Sequence, residues 1–508
     1  MPTVHSNNSP SRRVPIGQIA LHALTGSDLP LPAVRSYAVT GARRTFHHKV
    51  TTEEHYPRRY ATDGTIIGNL RFALRYEPID LGTLHAALVA LGREALTAWV
   101  QSEPTGAYSR RAWFFYETLT EDVLEIPDAK SGNYVDAVDP KLQFVTASEI
   151  SQRHRIRNNL LGASGFFPFV RRSRKLEAMI EAGLDRDVRQ LTEQYSPETL
   201  MRAVNFLYSK ETRSSFAIEG EAPNRTREER FLRALRSLGE FEPTDKAALI
   251  ALQASIVEPR YAANDYRHFQ NFVGETTRGF GEHVHFISPR PEDVSDLMRG
   301  WMLLTERMLQ SPLDPVVAAA VSAFAFVFIH PFEDGNGRLH RFLIHYALQR
   351  RTFTPPGMVF PISAAILRQR HFYDEALEAF SKPVLAATEW DFLDDHSISV
   401  KNSTRDLFRF FDATVQAEFL YDRIAETIRE DLKEELDFLV VYDAAFSAVR
   451  NVVEMPDRKA ALLVRLLLQN GGRLSQNKRK QFSEIRDSEI AAMETALMPI
   501  LLSARPTT

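Results

Sequence analysis

The sequence contains no cysteine and carries little net charge, and each absence excludes a class of function. Without Cys, disulfide bonds, thiolate metal sites and cysteine nucleophiles are excluded, while a reducing compartment is allowed. Lys and Arg number 62 against 65 Asp and Glu, and the net charge of -3 argues against a protein that coats nucleic acid. The longest apolar run, at residues 316–329, is too short to cross a bilayer, which takes about 20 residues. We therefore expect a cytoplasmic protein with no membrane partner.

The chain is long enough for several domains, and its composition divides it into four segments. At 508 residues it exceeds the usual size of one domain, about 150 residues. Residues 1–35 are polar and predict a flexible arm. Residues 36–185 mix helical periodicity with strand-like aromatic stretches such as RRAWFFYETLT, and predict an α+β annex. Helical periodicity dominates residues 186–395, the expected core, and residues 400–508, a helical or winged-helix module. The predicted fold class is mainly α.

The stretch FIHPFEDGNGRLHRF, residues 328–342, places polar chemistry between two apolar segments. Pro331 disfavours helical geometry in the residue before it, so the first helix should end at Ile329 or His330. After GNG, apolar residues recur at the spacing of a buried helical stripe, so the glycines open onto a helix N-terminus. Free backbone N–H groups, close approach at glycine and the positive end of the helix dipole make this turn an anion site, and phosphate is the expected anion.

Four side chains around this turn are the parts needed to transfer a phosphorus group. Arg338 and Arg341 lie three residues apart and can reach a polyphosphate from one side. Asp334 supplies the hard oxygen ligand that Mg²⁺ accepts. His330, with an ordinary pKa of about 6.5, can be neutral and take a proton from a hydroxyl. A plain turn with solvated charges would explain any one of these residues, but it accounts poorly for all of them together.

The string HPFEDGNGRLHR resembles the signature of the Fic (filamentation induced by cAMP) family, H-x-F-x-D/E-G-N-G-R-x-x-R, at every fixed position. The resemblance implies a helical Fic core with a β-hairpin flap. It also implies transfer of AMP from ATP to a Ser, Thr or Tyr hydroxyl of a target protein. Doc-type kinases of the same superfamily carry a lysine in place of Gly337, so this glycine favours nucleotidyl transfer over phosphate transfer. His340 departs from the small residue of many members, and we expect it to be a surface or packing residue without a catalytic role.

Carried onto this sequence residue by residue, the resemblance implies a role for each position of the motif. His330 would be the base, Phe332 a packed anchor and Asp334 the Mg²⁺ ligand. The phosphates of ATP would be held by the other motif positions, the last of which would bind the γ-phosphate: Gly335, Asn336, Gly337, Arg338 and Arg341. ATP is thus the expected substrate, and Mg²⁺ is the expected cofactor.

The string SSFAIEG, ahead of the core, resembles the inhibitory motif of the family, S/T-x-x-x-E-G/N. Ser215 and Glu219 are four residues apart on one helix face, and Gly220 is a natural helix stop. The resemblance implies that Glu219 pairs with Arg341 and withholds it from the γ-phosphate. An ordinary capped helix end is the alternative, and the position of the string ahead of the core favours inhibition.

Two further segments resemble family elements outside the motif. Residues 271–290 predict a hairpin similar to the flap of the family, which pairs with the backbone of the target; its second strand contains His285, Phe286 and Ile287. After the core helix, Tyr373 stands where the family closes its adenine pocket. An aromatic residue at helical spacing is, however, more often part of a core.

Two other functions fit the same residues. The site could run in reverse, with Glu219 positioning water to remove AMP from a modified protein. The alternative of another class is a nucleotide-sensing regulator that binds DNA or a partner through the basic string NGGRLSQNKRKQFSEI, although a solvated helix face is the commoner explanation for such a string. The intact base and metal ligand argue against a pure sensor. A homo-oligomer is compatible with the sequence, which does not identify the target.

Overall fold

The computed structural model describes residues 13–276, 282–355, 357–394 and 396–503. Its architecture is mainly α-helical, which confirms the predicted fold class. In these ranges, no helix is both long and apolar enough to cross a membrane.

The chain divides into two compact units. The larger one contains the motif and consists of Met1–Ala182, Ser215–Phe353 and Ile366–Asp422. The smaller one consists of Gly183–Ser214, Thr354–Ala365 and Arg423–Thr508. The four segment boundaries drawn from composition stay a prediction.

The N-terminal part of the larger unit combines small sheets with helices. Its elements are β1 (Val14–Ile16), α1 (Gln18–Thr25), β2 (Val34–Val39), β3 (Arg44–His47), β4 (Thr52–Pro57), α2 (Ile66–Tyr76), α3 (Leu81–Leu91), α4 (Arg93–Ser102), α5 (Ala107–Thr120), β5 (Val135–Asp136), β6 (Glu149–Ser151) and β7 (Ile156–Asn158). One sheet has the order β1-β2-β4-β3, in which β2 and β4 are parallel, and the other has the order β5-β7-β6.

Two expectations for this part are corrected by the structure. The flexible arm predicted over residues 1–35 does not extend to β1 and α1, where Ile16 and Leu21 are buried; residues 1–12 lie outside the described ranges. The strand-like stretch RRAWFFYETLT lies in α5. Trp113 and Phe115 are buried there, and Arg111 donates to backbone carbonyl oxygens. A helix buried around most of its circumference shows no amphipathic period, so composition alone indicated the wrong element.

The rest of the chain is dominated by helices. Its elements are α6 (Arg174–Ala182), α7 (Leu184–Glu193), α8 (Pro197–Ile218), α9 (Arg225–Arg236), α10 (Lys246–Ile256), β8 (Phe272–Thr276), β9 (Glu282–Ile287), α11 (Pro291–Gln310), α12 (Pro315–Ile329), α13 (Asn336–Arg350), α14 (Ile362–Arg368), α15 (Arg370–Ala386), β10 (Trp390–Phe392), β11 (Ile398–Val400), α16 (Arg405–Arg409), α17 (Thr414–Glu426), α18 (Lys433–Val452), α19 (Asp457–Gln469), α20 (Gln476–Arg479) and α21 (Asp487–Ser503).

Helices α12 and α13 pack against each other and place the motif at their junction. The carboxylate of Asp314 caps α12, because it accepts hydrogen bonds from the N–H groups of Val316 and Val317 at 2.9 and 3.0 Å. Pro315 follows at the first helical position, where its missing N–H costs nothing. Because α12 is apolar and buried along its length, the junction has a fixed position within the larger unit.

Strands β8 and β9 form the predicted hairpin. They are antiparallel, with Phe272 opposite Ile287 and an irregularity in register between Val273 and Gly274. The turn of the predicted flap, residues 277–281, lies outside the described ranges. The two strands make a sheet of their own.

The smaller unit ends in a helical module, which is one of the two forms that the sequence predicts for the C-terminal segment. Helices α19 and α21 pack on α18 around buried apolar side chains that include Val449, Leu467 and Met493. The described residues 423–503 contain helices and turns but no strand of the kind that a winged helix needs. In the basic string, Arg479 is engaged by Asp487 and by backbone carbonyl oxygens.

Candidate active site

His330 ends α12 in a conformation that few residue types adopt. Its φ of 53° and ψ of 57° lie in the left-handed region, which is uncommon outside glycine and often occurs at functional sites. The helix ends at Ile329, as the following proline predicts. Arg267 fixes the turn, because its Nε donates to the carbonyl oxygen of His330 and its backbone N–H to that of Pro331, both at 2.8 Å. The backbone that carries the imidazole of His330 is therefore held in place by hydrogen bonds.

The protein engages only one of the two ring nitrogens of His330 by a hydrogen bond within the described residues. Nδ1 lies 3.0 Å from the carbonyl oxygen of Val327, which can only accept, so Nδ1 carries the hydrogen. Burial lowers the pKa of His330 to about 4, although the bond to Val327 acts in the opposite direction. At neutral pH the ring is therefore an uncharged base with its lone pair on Nε2.

The glycine-rich turn between the helices is tightly built. Gly335 has a φ of 90°, and a Cβ there would lie 2.8 Å from Cγ1 of Val257, so a side chain does not fit. Asn336 clips the turn to Phe332: its Oδ1 accepts from the backbone N–H at 3.1 Å, and its Nδ2 donates to the carbonyl oxygen at 2.8 Å. Phe332 itself is buried, as expected for an anchor. The turn thereby presents the first N–H groups of α13 as the predicted anion cradle.

The carboxylate of Glu219 lies against this cradle. A Cβ on Gly337 would collide with Oε1 of Glu219, which shows how closely the carboxylate approaches the first turn of α13. The approach is possible because α8 ends at Ile218 and Gly220, with a φ of 71°, turns the chain as the sequence predicts. Glu219 therefore occupies the position at which the helix start would bind an anion.

Arg341 is held by the two residues of the inhibitory string. Its Nε donates to Oγ of Ser215 at 2.8 Å, its Nη2 donates to the carbonyl oxygen of Ser215 at 2.7 Å, and its Nη1 lies 2.8 Å from Oε1 of Glu219. Burial raises the pKa of Glu219, but the charge of Arg341 and its hydrogen bond outweigh burial, so the pKa lies below the ordinary value. The pair is therefore charged at neutral pH. The structure thus brings together the three residues that the inhibitory pattern predicted.

Arg338 is bound by protein groups on several sides. Its Nη2 lies 2.7 Å from Oδ1 of Asp334 and 3.2 Å from Oε1 of Glu221. Its Nη1 donates to the carbonyl oxygen of Ile256 at 3.1 Å. The side chain is only 1% exposed, so its contacts in this state are with the protein. The phosphate-binding role implied by the family resemblance stays a prediction.

Asp334 fits the requirements of Mg²⁺ in a nucleotide site. The described residues contain no group of three or more His, Asp or Glu arranged to hold a metal ion. Mg²⁺ bound with a nucleotide needs only one or two carboxylates, because phosphate oxygens and water complete its shell. The Asp334 side chain is 37% exposed, and its Oδ1 accepts from the N–H of Gly335 at 2.6 Å as well as from Arg338. Oδ2 therefore remains for a metal ion.

His340 and Tyr373 pack side by side in the core near Arg341. The ring of His340 is fully buried and lies 4.5 Å from that of Phe324 and 6.1 Å from that of Tyr373, as expected for a packing residue. Burial lowers the pKa of His340 to about 3 and raises that of Tyr373 to about 12. Tyr373 also packs on Phe419. These are the contacts of a core side chain, and the adenine-pocket role of Tyr373 stays a prediction.

The predicted flap residues divide between core and surface. His285 is exposed, with Nε2 3.8 Å from Oε1 of Glu275. Phe286 and Ile287 are buried, and the ring of Phe286 packs against that of Phe328 in α12. These two side chains anchor the hairpin to the core. Pairing of its main chain with a target stays a prediction.

Three residues that shape the site were missed by the sequence patterns. Arg267 and Gln253 act on backbone carbonyl oxygens; Nε2 of Gln253 donates to that of Asp334 at 3.0 Å. No spacing in a sequence predicts such long-range bonds to the main chain. Glu221 could have been found from the sequence. One glutamate stands on each side of Gly220, and the motif contains two arginines with which two carboxylates can pair.

Comparison with known proteins identifies the core. Residues 243–348 match the model of the Fic/DOC family, and this segment contains α10, the hairpin, α11, α12 and most of α13. The matched segment includes the junction at which His330 and the glycine-rich turn lie. This chain therefore carries, at residues 243–348, a segment similar to the Fic/DOC family.

The chain is also similar to named relatives over part of its length. It is 34% identical over 118 residues to protein adenylyltransferase Fic of Nematostella vectensis, with 23% of each chain covered, and 40% identical over 72 residues to that of Culex quinquefasciatus, with 14% of each covered. A crystal structure of a Fic family protein from Desulfovibrio desulfuricans G20 matches with a TM-score of 0.37 and 19% identity, over 59% of this chain and 87% of that one. The chain thus covers less than a quarter of these two curated relatives.

Proposed function

We propose that this protein is an adenylyltransferase that transfers AMP from ATP to a Ser, Thr or Tyr hydroxyl of a target protein. The observation that carries the proposal is a neutral His330, unprotonated at Nε2, beside a helix start built to bind an anion. The relatives that match part of the chain bear the name of the same activity, protein adenylyltransferase.

The proposed reaction is a displacement at the α-phosphorus of ATP. Nε2 of His330 takes the proton of the target hydroxyl as the hydroxyl oxygen forms a bond to the α-phosphorus. The bond from the α-phosphorus to the oxygen that bridges to the β-phosphate breaks, and pyrophosphate leaves. The N–H groups at the start of α13 and the guanidinium of Arg341 stabilise the phosphate charge. Mg²⁺ held by Asp334 would neutralise part of the charge on the polyphosphate.

In the arrangement described above, the protein would be inhibited by its own Glu219. The carboxylate takes the place of a phosphate at α13 and engages Nη1 of Arg341. An ATP polyphosphate and this carboxylate are both negatively charged and require the same donors, so they exclude each other. Productive binding of ATP therefore requires Glu219 to leave the cradle.

The depressed pKa of His330 predicts an unusual pH profile. A histidine with a pKa of about 6.5 would keep only about a quarter of its base form at pH 6, whereas one with a pKa of about 4 keeps nearly all of it. The AMP-transfer rate of Glu219→Gly should therefore stay nearly constant from pH 8 to pH 5.5. Initial rates in overlapping buffers at fixed ATP and Mg²⁺ measure this profile, with circular dichroism as the control for folding. A fall to half the rate near pH 6.5 would contradict the prediction.

The label position in ATP tests the type of group transferred. Glu219→Gly is incubated with Mg²⁺ and ATP labelled at either the α- or the γ-phosphate, alone and with a cell lysate. Protein labelled from the α-position only supports AMP transfer, whereas label from the γ-position would make the protein a kinase. If neither label is transferred but the wild-type protein releases AMP from labelled protein, the reverse reaction replaces the proposal.

A further inference from the structure

Four side chains of alternating charge form a row that ends at Asp334. Nη2 of Arg227, in α9, lies 2.6 Å from Oε2 of Glu221. The two carboxylate oxygens of Glu221 lie 3.2 and 3.4 Å from the terminal nitrogens of Arg338. Arg338 in turn lies 2.7 Å from Oδ1 of Asp334. In the function proposed above, Glu221 has no part.

The centre of this row is shielded from water. The Arg338 side chain is 1% exposed, and the ring of Phe216 lies 5.3 Å from its guanidinium carbon. The same ring lies 5.2 Å from the guanidinium carbon of Arg227. The buried charge of Arg338 is weakly screened by water, so it acts on the two carboxylates that contact it.

Arg338 has two opposing effects on Asp334. Its hydrogen bond to Oδ1 orients the carboxylate and leaves Oδ2 for a ligand. Its positive charge, at the same short distance, repels any cation that approaches Oδ2. A second negative charge beside the guanidinium offsets this repulsion without breaking the hydrogen bond, and Glu221, which lies 3.2 Å from the same Nη2, supplies that charge.

We infer that Glu221 is a positioning residue for the Mg²⁺ site: it holds Arg338 in place and offsets its charge, so that Asp334 stays oriented and still attracts the metal ion. The inference rests on the proposed function, because it takes Asp334 as the Mg²⁺ ligand. It assigns Arg338 to orienting Asp334 instead of binding phosphate. It also separates Glu221 from Glu219, which occupies the cradle itself.

Binding of Mn²⁺, as a substitute for Mg²⁺, tests this role without any transfer of AMP. The full-length Glu219→Gly protein is saturated with α,β-methylene-ATP, and loss of the free Mn²⁺ signal in electron paramagnetic resonance gives the affinity, after subtraction of the analogue alone. Adding Glu221→Gln should weaken this binding about tenfold, the usual size of the effect for partners of metal ligands. Glu221→Asp keeps the charge and should stay within about twofold of the parent.

Control variants separate this role from a general loss of structure. Asp334→Asn should remove the binding of Mn²⁺ that depends on the protein. Glu229→Gln, which changes an exposed glutamate of α9 paired with Arg225, should leave it unchanged. Thermal melting verifies folding, and Glu221→Ser takes the place of Glu221→Gln, with the same expectation, if the latter does not fold.

Three results would overturn the inference. The first is an unchanged Mn²⁺ affinity in Glu221→Gln, and the second is an equal loss in Glu229→Gln. The third is a rise in AMP transfer when Glu221→Gln is introduced alone, which would make Glu221 part of the inhibitory contact. If Glu219→Gly transfers no AMP but its Mn²⁺ binding depends on Glu221 as described, the proposed reaction fails and the inference stands.

Discussion

Replacing Glu219 by glycine should raise the rate of AMP transfer about 10- to 100-fold, the size of a shift between a mainly closed and a substantially open cradle. The substitution removes the carboxylate that lies against Gly337 and frees Nη1 of Arg341. The two hydrogen bonds from Arg341 to Ser215 remain, so the guanidinium stays in place to meet a phosphate. The rate is measured as incorporation of α-phosphate label into protein, with Mg²⁺ and ATP in excess.

A second substitution of Glu219 separates the effect of its negative charge from the effect of its size. Glu219→Gln keeps the length of the side chain but loses the charge, so its rate should lie between those of the wild type and Glu219→Gly. Arg341→Ala in the Glu219→Gly background should cancel the gain, because in the proposed function the freed guanidinium binds a phosphate of ATP. Equal rates in the wild type and Glu219→Gly, with both proteins folded and ATP bound equally, would contradict inhibition by Glu219.

Replacing His330 should abolish the gain in Glu219→Gly, with a loss of about 10²- to 10⁴-fold, the usual contribution of a general base. Nε2 of this ring is the unprotonated nitrogen at the junction, because Nδ1 is held by Val327. The same label assay measures the loss. Binding of ATP, followed by isothermal titration calorimetry, should change little, because the phosphates are expected to contact the N–H groups of α13 and Arg341.

The choice of substitution matters because His330 has a positive φ. Alanine tolerates the left-handed region poorly, and His330→Ala could lose activity through local strain. Asparagine adopts this region readily, so His330→Asn keeps the turn while it removes the base. Equal losses in the two variants, with equal melting temperatures, identify the loss with the base. If His330→Asn keeps more than about a tenth of the rate, His330 is not the general base.

The parts of the fold that sequence predicted are those controlled by local backbone chemistry. Pro331 ends α12, Gly220 ends the turn after α8, and the apolar ends of the flap pair as a hairpin. The errors fall where burial overrides composition. The aromatic stretch in α5 is helical because the surrounding fold buries its apolar side chains and accepts hydrogen bonds from Arg111. The same holds for α1, in which Ala20 and Leu21 are buried although the segment around them is mostly polar.

The candidate site divides in the same way. The glycines, the histidine and the two arginines are adjacent in the chain, and their chemistry follows from a short turn that opens a helix. Arg267 and Gln253 reach the turn from other elements and bind its carbonyl oxygens. Such bonds carry no residue pattern, because any donor of suitable length serves.

By itself, the sequence determined which groups are present: glycines at a helix start, a carboxylate beside them, a histidine at a helix exit and a glutamate at a helix stop. From these groups it predicted an anion cradle and a Mg²⁺ ligand. These features depend on residue type and on spacing within one or two turns, which the sequence contains in full. Only the tertiary structure decided the state of each group. Burial lowers the pKa of His330, and the chain brings Glu219 to Arg341 and Glu221 to Arg338 across more than a hundred residues. Charge and proton affinity depend on such distant neighbours, so only the folded arrangement determines them.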